Sequence, residues 1–371
     1  MTPSEALKDL RDQIDRLDVE LLRLLNARME VAKKVGELKA DKGLTLFDPS
    51  REESIFERLS ALNPGPITET SLRAVYREIF AASRLLQYVL QVAYLGPEWT
   101  TCYLAAHSFF GHSARYLPAP TLEDVFDMLS KGGAHVAVFP IENSFQGGIG
   151  ITIDLLCIHE VRIVRECYME IAHHLCGKSS SLDDVKRIYA QPQAMEQCRQ
   201  WFLENLRNRD VYQCTSNAQA AQLASQDPSG AAISNLYAAR HYGLSILADH
   251  IEAQAGNTTR FVVLGKDHST PTGNDKTSLL FAVSDEPGAL HGALEAFARS
   301  RVNMTRIESR PNRQFPWQFL FFADVEGHLE DNAMQNALSQ LKSRVTFLKV
   351  LGSYPRSDPK APIRLEKERT R

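Results

Sequence analysis

Over the first ninety residues the apolar positions fall three and four apart: Leu7, Leu10, Ile14, Leu17, Leu21 and Leu24, then Val31, Val35 and Leu38. That alternation is the seam of one long packed helix. Gly43 is its expected stop, which makes it about 38 residues and about 55 Å long. So small a segment cannot bury so long a stripe alone, so a partner chain is expected. Asp48-Pro49, a cap followed by a first-turn proline, opens a second helix carrying Ile55, Leu59 and Leu62. It ends at Asn63-Pro64-Gly65-Pro66, and a third helix runs from near Thr68 to Gln91.

From Val92 to Lys266 the period changes. Short β-rich runs (Val92–Leu95, Val136–Phe139, Val161–Val164, Arg187–Ala190, Ala231–Ser234, Arg260–Leu264) alternate with helical stretches such as Leu122–Leu129, Ala194–Leu206 and Ala218–Ala224. This is an α/β pattern, sized for two small lobes with a cleft between them. A polar linker, His268 to Lys276, leads to β, α, β, β, α, β over residues 277–354, the order of a ferredoxin-like split βαβ unit. Residues 355–371 are proline-rich and charged, the pattern of a solvated tail.

Composition adds exclusions. Of 371 residues, 44% are apolar and 23% charged, and the net charge is −3, which argues against disorder and gives no global attraction to nucleic acid. No apolar run reaches the ~18 residues of a membrane span, and the charged N-terminus does not read as a secretory signal. Six cysteines without CxxC spacing read as reduced thiols, so a cytoplasmic enzyme or regulator is expected, with no metal or redox cofactor.

One position breaks the first seam: the heptad reaches Arg28. A guanidinium in an apolar stripe costs several kcal/mol unless an anion meets it. It reads either as an internal salt bridge or as an anion site. Lys39, eleven residues on, shares nearly the same face. Asp48 and Glu52, like Ser83 and Gln87, are i,i+4 neighbours. Arg11 lies about 25 Å before Arg28 along the helix, too far to serve the same ligand in its own chain.

This polar set (Arg11, Arg28, Lys39, Asp48, Arg51, Glu52, Ser83 and Gln87) resembles that of the all-helical chorismate mutase family. The resemblance implies that Arg28, with Arg11 from a partner chain, holds the two carboxylates of chorismate. Lys39 and Gln87 then face the ether oxygen, and Glu52 and the Asp48 backbone meet the ring hydroxyl. A Claisen rearrangement needs no nucleophile and no proton transfer. It needs a folded substrate and a charge facing the oxygen that turns negative.

Further on, Leu95-Gly96-Pro97-Glu98, Pro140-Ile141-Glu142-Asn143-Ser144, Pro192-Gln193-Ala194 and Thr258-Thr259-Arg260-Phe261 resemble the prephenate dehydratase family over Val92 to Lys266. The resemblance implies two lobes of periplasmic-binding-protein type with prephenate between them. Thr259 is then the partner of the leaving oxygen, Asn143 and Gln197 are cleft residues, and Thr100, Glu142, Ser144 and Arg260 support the substrate. Taken alone, Thr259 reads as an ordinary strand threonine and Arg260 as a surface ion pair. The sequence departs from the family at Trp99, Cys102-Tyr103, Ala190-Gln191 and Gly150.

The last unit resembles the ACT regulatory domain, with Gly288-Ala289-Leu290-His291 and Glu308-Ser309-Arg310-Pro311 similar to the phenylalanine-responsive motifs. Together the resemblances imply a dimeric or larger bifunctional enzyme of phenylalanine biosynthesis. It would take chorismate to prephenate and then to phenylpyruvate, under phenylalanine feedback. The departures leave two alternatives open: a mutase whose middle region only binds a regulatory ligand, or a changed reaction on prephenate.

Overall fold

In the computed structural model, which describes residues 3–41, 47–266, 269–311 and 319–364, the chain forms two units. One is Met1–Leu90 together with Phe109–Arg115, and the other comprises Gln91–Ser108 and Tyr116–Arg371.

The first unit is helical. α1 (Pro3–Asp41) runs 39 residues unbroken; Gly43, its expected stop, lies outside the described residues. α2 (Pro49–Leu62) starts where the sequence says, with the Asp48 carboxylate accepting from the Arg51 amide at 3.0 Å. α3 (Glu69–Leu85) is capped by Thr68 but stops six residues before Gln91, because Gln91 already belongs to a strand. Phe56 and Phe80 pack edge to face at 5.2 Å between α2 and α3.

The second unit holds three sheets. The first lobe contributes β1 (Gln91–Leu95), α4 (Thr101–Phe110), β2 (Arg115–Ala119), α5 (Leu122–Ser130), β3 (Val136–Asn143), β4 (Gly147–Gly148), α6 (Gly150–Ile158) and β5 (Arg162–Glu170). The chain then crosses to a second lobe: β6 (His174–Gly177), β7 (Arg187–Ala190), α7 (Pro192–Gln197), α8 (Arg199–Asn205), β8 (Asp210–Gln213), α9 (Asn217–Ala224), β9 (Gly230–Ser234), α10 (Leu236–His241) and β10 (Ser245–Ala248). It returns through β11 (Thr258–Gly265), which inserts antiparallel between β3 and β5, giving the order β2-β1-β3-β11-β5. The second sheet is ordered β10-β6-β9-β7-β8. This is the expected two-lobed α/β body. The stretch Ala194–Leu206, expected as one helix, breaks at Cys198 into α7 and α8.

The C-terminal sheet follows the βαββαβ order: β12 (Asp275–Ala282), α11 (Ala289–Arg299), β13 (Met304–Pro311), β14 (Phe319–Glu326), α12 (Asn332–Lys342) and β15 (Phe347–Pro355), with strands ordered β13-β14-β12-β15. Its two faces are both apolar, so it is covered on both sides. Leu279, Phe281, Ala323 and Val325 pack on α11 and α12. Leu280, Phe322, Leu351 and Tyr354 share one core with Ile141, Ile153 and Ile163 of the first lobe. Beyond Pro355 the described residues 356–364 are mostly exposed, with one backbone pairing. Ile363 lies parallel to Met169 on the edge strand β5, its amide donating to the Tyr168 carbonyl at 2.7 Å.

Candidate active sites

In the helical unit, Arg28 projects from α1 over the Phe80 ring, 5.4 Å from its centroid, and its Nη1 donates to Ser83 Oγ at 2.5 Å. Burial lowers the pKa of its guanidinium, against the charges of Tyr76 and Glu52. Its hydrogen-bond partner is thus a hydroxyl rather than an internal acid. Gly36, buried near the end of α1, lets Gln87 lie directly against the helix, where any Cβ would collide. Lys39 stands half-buried in the last turn of α1. Arg11 and Arg51 are exposed. One residue was missed by the sequence reading. Arg84, buried on α3, forms an ion pair with Glu52, and its Nη2 donates to the Phe110 carbonyl at 3.2 Å. Nothing in its spacing separates it from a solvated arginine, since its neighbour Ser83 already occupies the recognised face.

In the two-lobed body, strand alternation sorts the expected dehydratase residues onto two faces. Asn143 and Thr259 sit opposite one another on β3 and β11, and Asn143 Nδ2 donates to Thr259 Oγ1 at 3.0 Å. The same amide donates to Asn257 Oδ1 at 2.7 Å, while Asn257 Nδ2 donates to Gln197 Oε1 at 3.3 Å. His173, 4% exposed, reaches the same Gln197 oxygen at 2.8 Å. Asn257 and His173 were not singled out from the sequence. They lie in the connections between lobes, where no periodicity marks them.

Glu142, Ser144 and Arg260 point the other way, towards the C-terminal sheet. Ser144 Oγ accepts from the Thr258 amide at 3.0 Å, and Glu142 lies 3.2 Å from Arg306. Arg260 is 1% exposed. Its Nε donates to Glu166 at 2.7 Å, its Nη1 to Asp324 at 2.5 Å and its Nη2 to the Tyr354 hydroxyl at 2.8 Å. Lys276 completes the group by donating to both Glu166 oxygens at 2.8 and 3.0 Å. Burial alone would raise the Asp324 carboxyl, but the adjacent Arg260 and Lys276 charges hold it below its ordinary value. A cavity of about 440 Å³ opens beside this junction, lined by Glu142, Ser144, Thr258, Arg260, Lys276 and Arg306 among others.

The departures have structural counterparts. Trp99, at φ 67°, stacks on His241 at 4.5 Å and packs on the alanine-rich core of the second lobe, while Asn235 Nδ2 donates to its carbonyl at 2.9 Å. It therefore ties the lobes together through His241 and Asn235. Thr100 is engaged at the start of α4, donating to the Leu95 and Pro97 carbonyls at 3.2 and 3.0 Å. Gln191 caps α7, the helix that carries Gln197. Gly150 leaves room for the Arg310 guanidinium, which also pairs with Asp154 at 2.9 Å, and Gly148 does the same for the Glu308 carboxylate. Glu308 and Arg310 thus face the dehydratase-like body, whereas Ser309 and Pro311 are exposed. Gly288, at φ +86°, precedes α11, with Ala289, Leu290 and His291 in its first turn.

Sequence profiles of three families match in order: chorismate mutase type II over residues 10–88, prephenate dehydratase over 92–269 and the ACT domain over 277–343. A bifunctional chorismate mutase/prephenate dehydratase from Aquifex aeolicus is 43% identical over 357 residues, covering 95% of this chain and 99% of that protein. The chain belongs to the bifunctional chorismate mutase/prephenate dehydratase family. The Escherichia coli K12 family member is 32% identical, over 96% of this chain and 97% of its own. Among solved structures, the prephenate dehydratase of Arthrobacter aurescens in complex with L-Phe matches with a TM-score of 0.67 and 34% identity, over 74% of this chain and 92% of that one. A structure described as a quorum-quenching acylase, GqqA, matches with a TM-score of 0.65 and 31% identity, over 73% and 100%. A family member of this build carries a helical mutase unit, a two-lobed dehydratase body and an ACT sheet, in the order the sequence reading gave.

Proposed function

We propose that the helical unit rearranges chorismate to prephenate, that the cleft beside Thr259 converts prephenate to phenylpyruvate, and that L-phenylalanine bound by the ACT sheet regulates the enzyme. In the mutase, Arg28 meets one substrate carboxylate and Arg11 of a second copy the other. Support for a second copy comes from α1, which leaves Leu7, Leu10, Ile14, Leu17, Leu21 and Leu24 all exposed along one seam. Lys39 and Gln87 act on the ether oxygen, where charge grows in the transition state. Glu52, held by Arg84, receives the ring hydroxyl. Buried cysteines, with Cys102 and Cys176 pushed up to about 12 by burial, fit reduced thiols and a cytosolic enzyme.

In the dehydratase, the prephenate dianion takes up one proton and yields phenylpyruvate, carbon dioxide and water. The C–O bond to the ring hydroxyl and the C–C bond to the ring carboxylate break, and the ring becomes aromatic. The observation that carries this reading is the Asn143–Thr259 hydrogen bond. Asn143 fills an acceptor position of the Thr259 oxygen, which leaves the threonine proton for the departing hydroxyl. A purely ligand-binding body is not favoured, because the departures at Trp99, Gln191 and Gly150 are absorbed elsewhere in the packing.

Chorismate supplied to the pure protein tests this. Phenylpyruvate is the expected product. Accumulating prephenate would leave only the mutase, and a non-aromatic decarboxylated product would mean a changed second reaction. Calorimetry with L-phenylalanine is expected to show binding at or below millimolar concentration.

A further inference from the structure

The polar chain behind Thr259 has a direction that its hydrogen bonds fix. Asn143 Oδ1 accepts from the backbone amides of Phe145 and Gln146 at 3.1 and 3.3 Å. Amides only donate, so the other end of Asn143 is its NH₂ group, which donates to both Thr259 and Asn257. Asn257 receives on its oxygen and so donates from its nitrogen to Gln197 Oε1. That oxygen can only accept, so His173 Nε2 must carry a proton. Two backbone amides at one end thus set the tautomer of a buried histidine at the other. The Nδ1 of His173 is buried with no hydrogen-bond partner, and burial lowers the pKa of the ring, which keeps it neutral.

The five residues come from different parts of the body. Asn143 and Thr259 are in the first lobe and Gln197 ends α7 of the second. His173 and Asn257 lie in the two connections between lobes, residues 171–173 and 249–257, which pair through Ile171 N to Asn257 O at 2.7 Å and Ile251 N to His173 O at 2.9 Å. The line is therefore continuous only in this arrangement of the lobes.

We propose that His173 is a positioning residue of the dehydratase reaction. Through Gln197, Asn257 and Asn143 it holds the Thr259 hydroxyl as a donor aimed at the leaving oxygen of prephenate. Its role rests on the reading of Thr259 as that donor. His173 touches no substrate. It anchors Gln197 from the second lobe, which holds Asn257 in place against the Asn143 amide, so that this amide, whose orientation the Phe145 and Gln146 backbone sets, stays within reach of Thr259. Without that anchor Asn257 and Asn143 shift, and the Thr259 hydroxyl loses the hydrogen bond that fixes its direction.

The test uses the full chain with prephenate supplied directly, and the mutase rate and thermal unfolding as controls for folding. Thr259→Val is expected to lower kcat about a hundredfold or more. His173→Phe, which removes the anchoring N–H, is expected to lower kcat about tenfold with KM within about twofold. His173→Gln, which offers an N–H at similar reach, restores most of the rate. The double variant is no slower than Thr259→Val alone, because the histidine acts only through the threonine. If His173→Phe does not fold, Asn257→Asp replaces it, since a carboxylate cannot donate to Gln197; the same loss and the same non-additivity are expected. Near-normal turnover in these variants, or multiplicative losses in the double variant, would overturn the inference while leaving Thr259 in place. Near-normal turnover in Thr259→Val would overturn both.

Discussion

Arg28 shows what a single charge in an apolar seam requires. It rests on the Phe80 ring and binds Ser83, which solvates one edge of the guanidinium; the proposed function gives the rest to a substrate carboxylate. Replacing a half-buried charge by a shape-matched apolar side chain is often neutral or stabilising. Arg28→Met is therefore expected to abolish chorismate turnover while thermal unfolding is unchanged or moves upward and the dehydratase rate on supplied prephenate persists. Helical spacing put Arg28 in the seam of α1 and Ser83 and Gln87 on one face of a helix, and the family resemblance drew them into one set; the structure brings Arg28 onto Ser83 and Gln87 against α1. In the two-lobed body, motif identity named Asn143, Gln197 and Thr259 together with Glu142, Ser144 and Arg260, and the structure places the first three on one hydrogen-bonded line and the other three beside the C-terminal sheet. Which face of β3 and β11 is the cleft depends on what covers the other face, and no local pattern states that. His173 also carries a pH signature. Its folded pKa lies below its ordinary value of about 6.5, so as pH falls below that value the unfolded chain gains a proton the folded chain refuses. Stability falls on the acid side, with Glu252, whose Oε2 accepts from the His173 amide at 3.0 Å, and His174 as the neighbouring titratable groups.

Whole elements were easier to read than their ends. The three-four spacing found α1, and its uncovered stripe is a prediction in itself. Leu17→Glu, at the middle of that stripe and 69% exposed, is expected to yield a monomer by light scattering. It should lose mutase turnover, because Arg11 no longer reaches a second site, and keep dehydratase turnover. The break between α7 and α8 was invisible because apolar periodicity runs through it. It forms because the Gln197 carbonyl is taken by the Ala253 amide at 3.0 Å, a partner 56 residues distant in sequence. The same is true of the last segment. Its composition is that of a solvated tail, yet backbone pairing at Ile363 covers the open edge of β5, and edge pairing needs no apolar side chain.

At the scale of the whole second unit, the proposed dehydratase site and the junction with the C-terminal sheet stand back to back on one strand. Thr259 bonds Asn143 on one face, and Arg260, the next residue, is clasped on the other by Glu166 of the body and Asp324 of the ACT sheet. Removing one partner leaves an uncompensated buried charge, a cost of about 3–5 kcal/mol. Asp324→Asn is expected to lower the midpoint of chemical unfolding accordingly. Because the Asp324 carboxyl is held below its ordinary value, its contribution is complete above about pH 3.9 and is lost as pH falls through the folded value. The wild type should lose this part of its stability in acid, and the variant should lose less over the same range.

The helical unit includes Phe109–Arg115, a stretch read from sequence as belonging wholly to the dehydratase. Phe110 supplies the carbonyl that steadies Arg84, and Glu78 receives the His112 amide at 3.3 Å. Scissors applied between Leu90 and Gln91, the obvious place to harvest a free-standing mutase, would discard the stretch that partners Arg84 and Glu78.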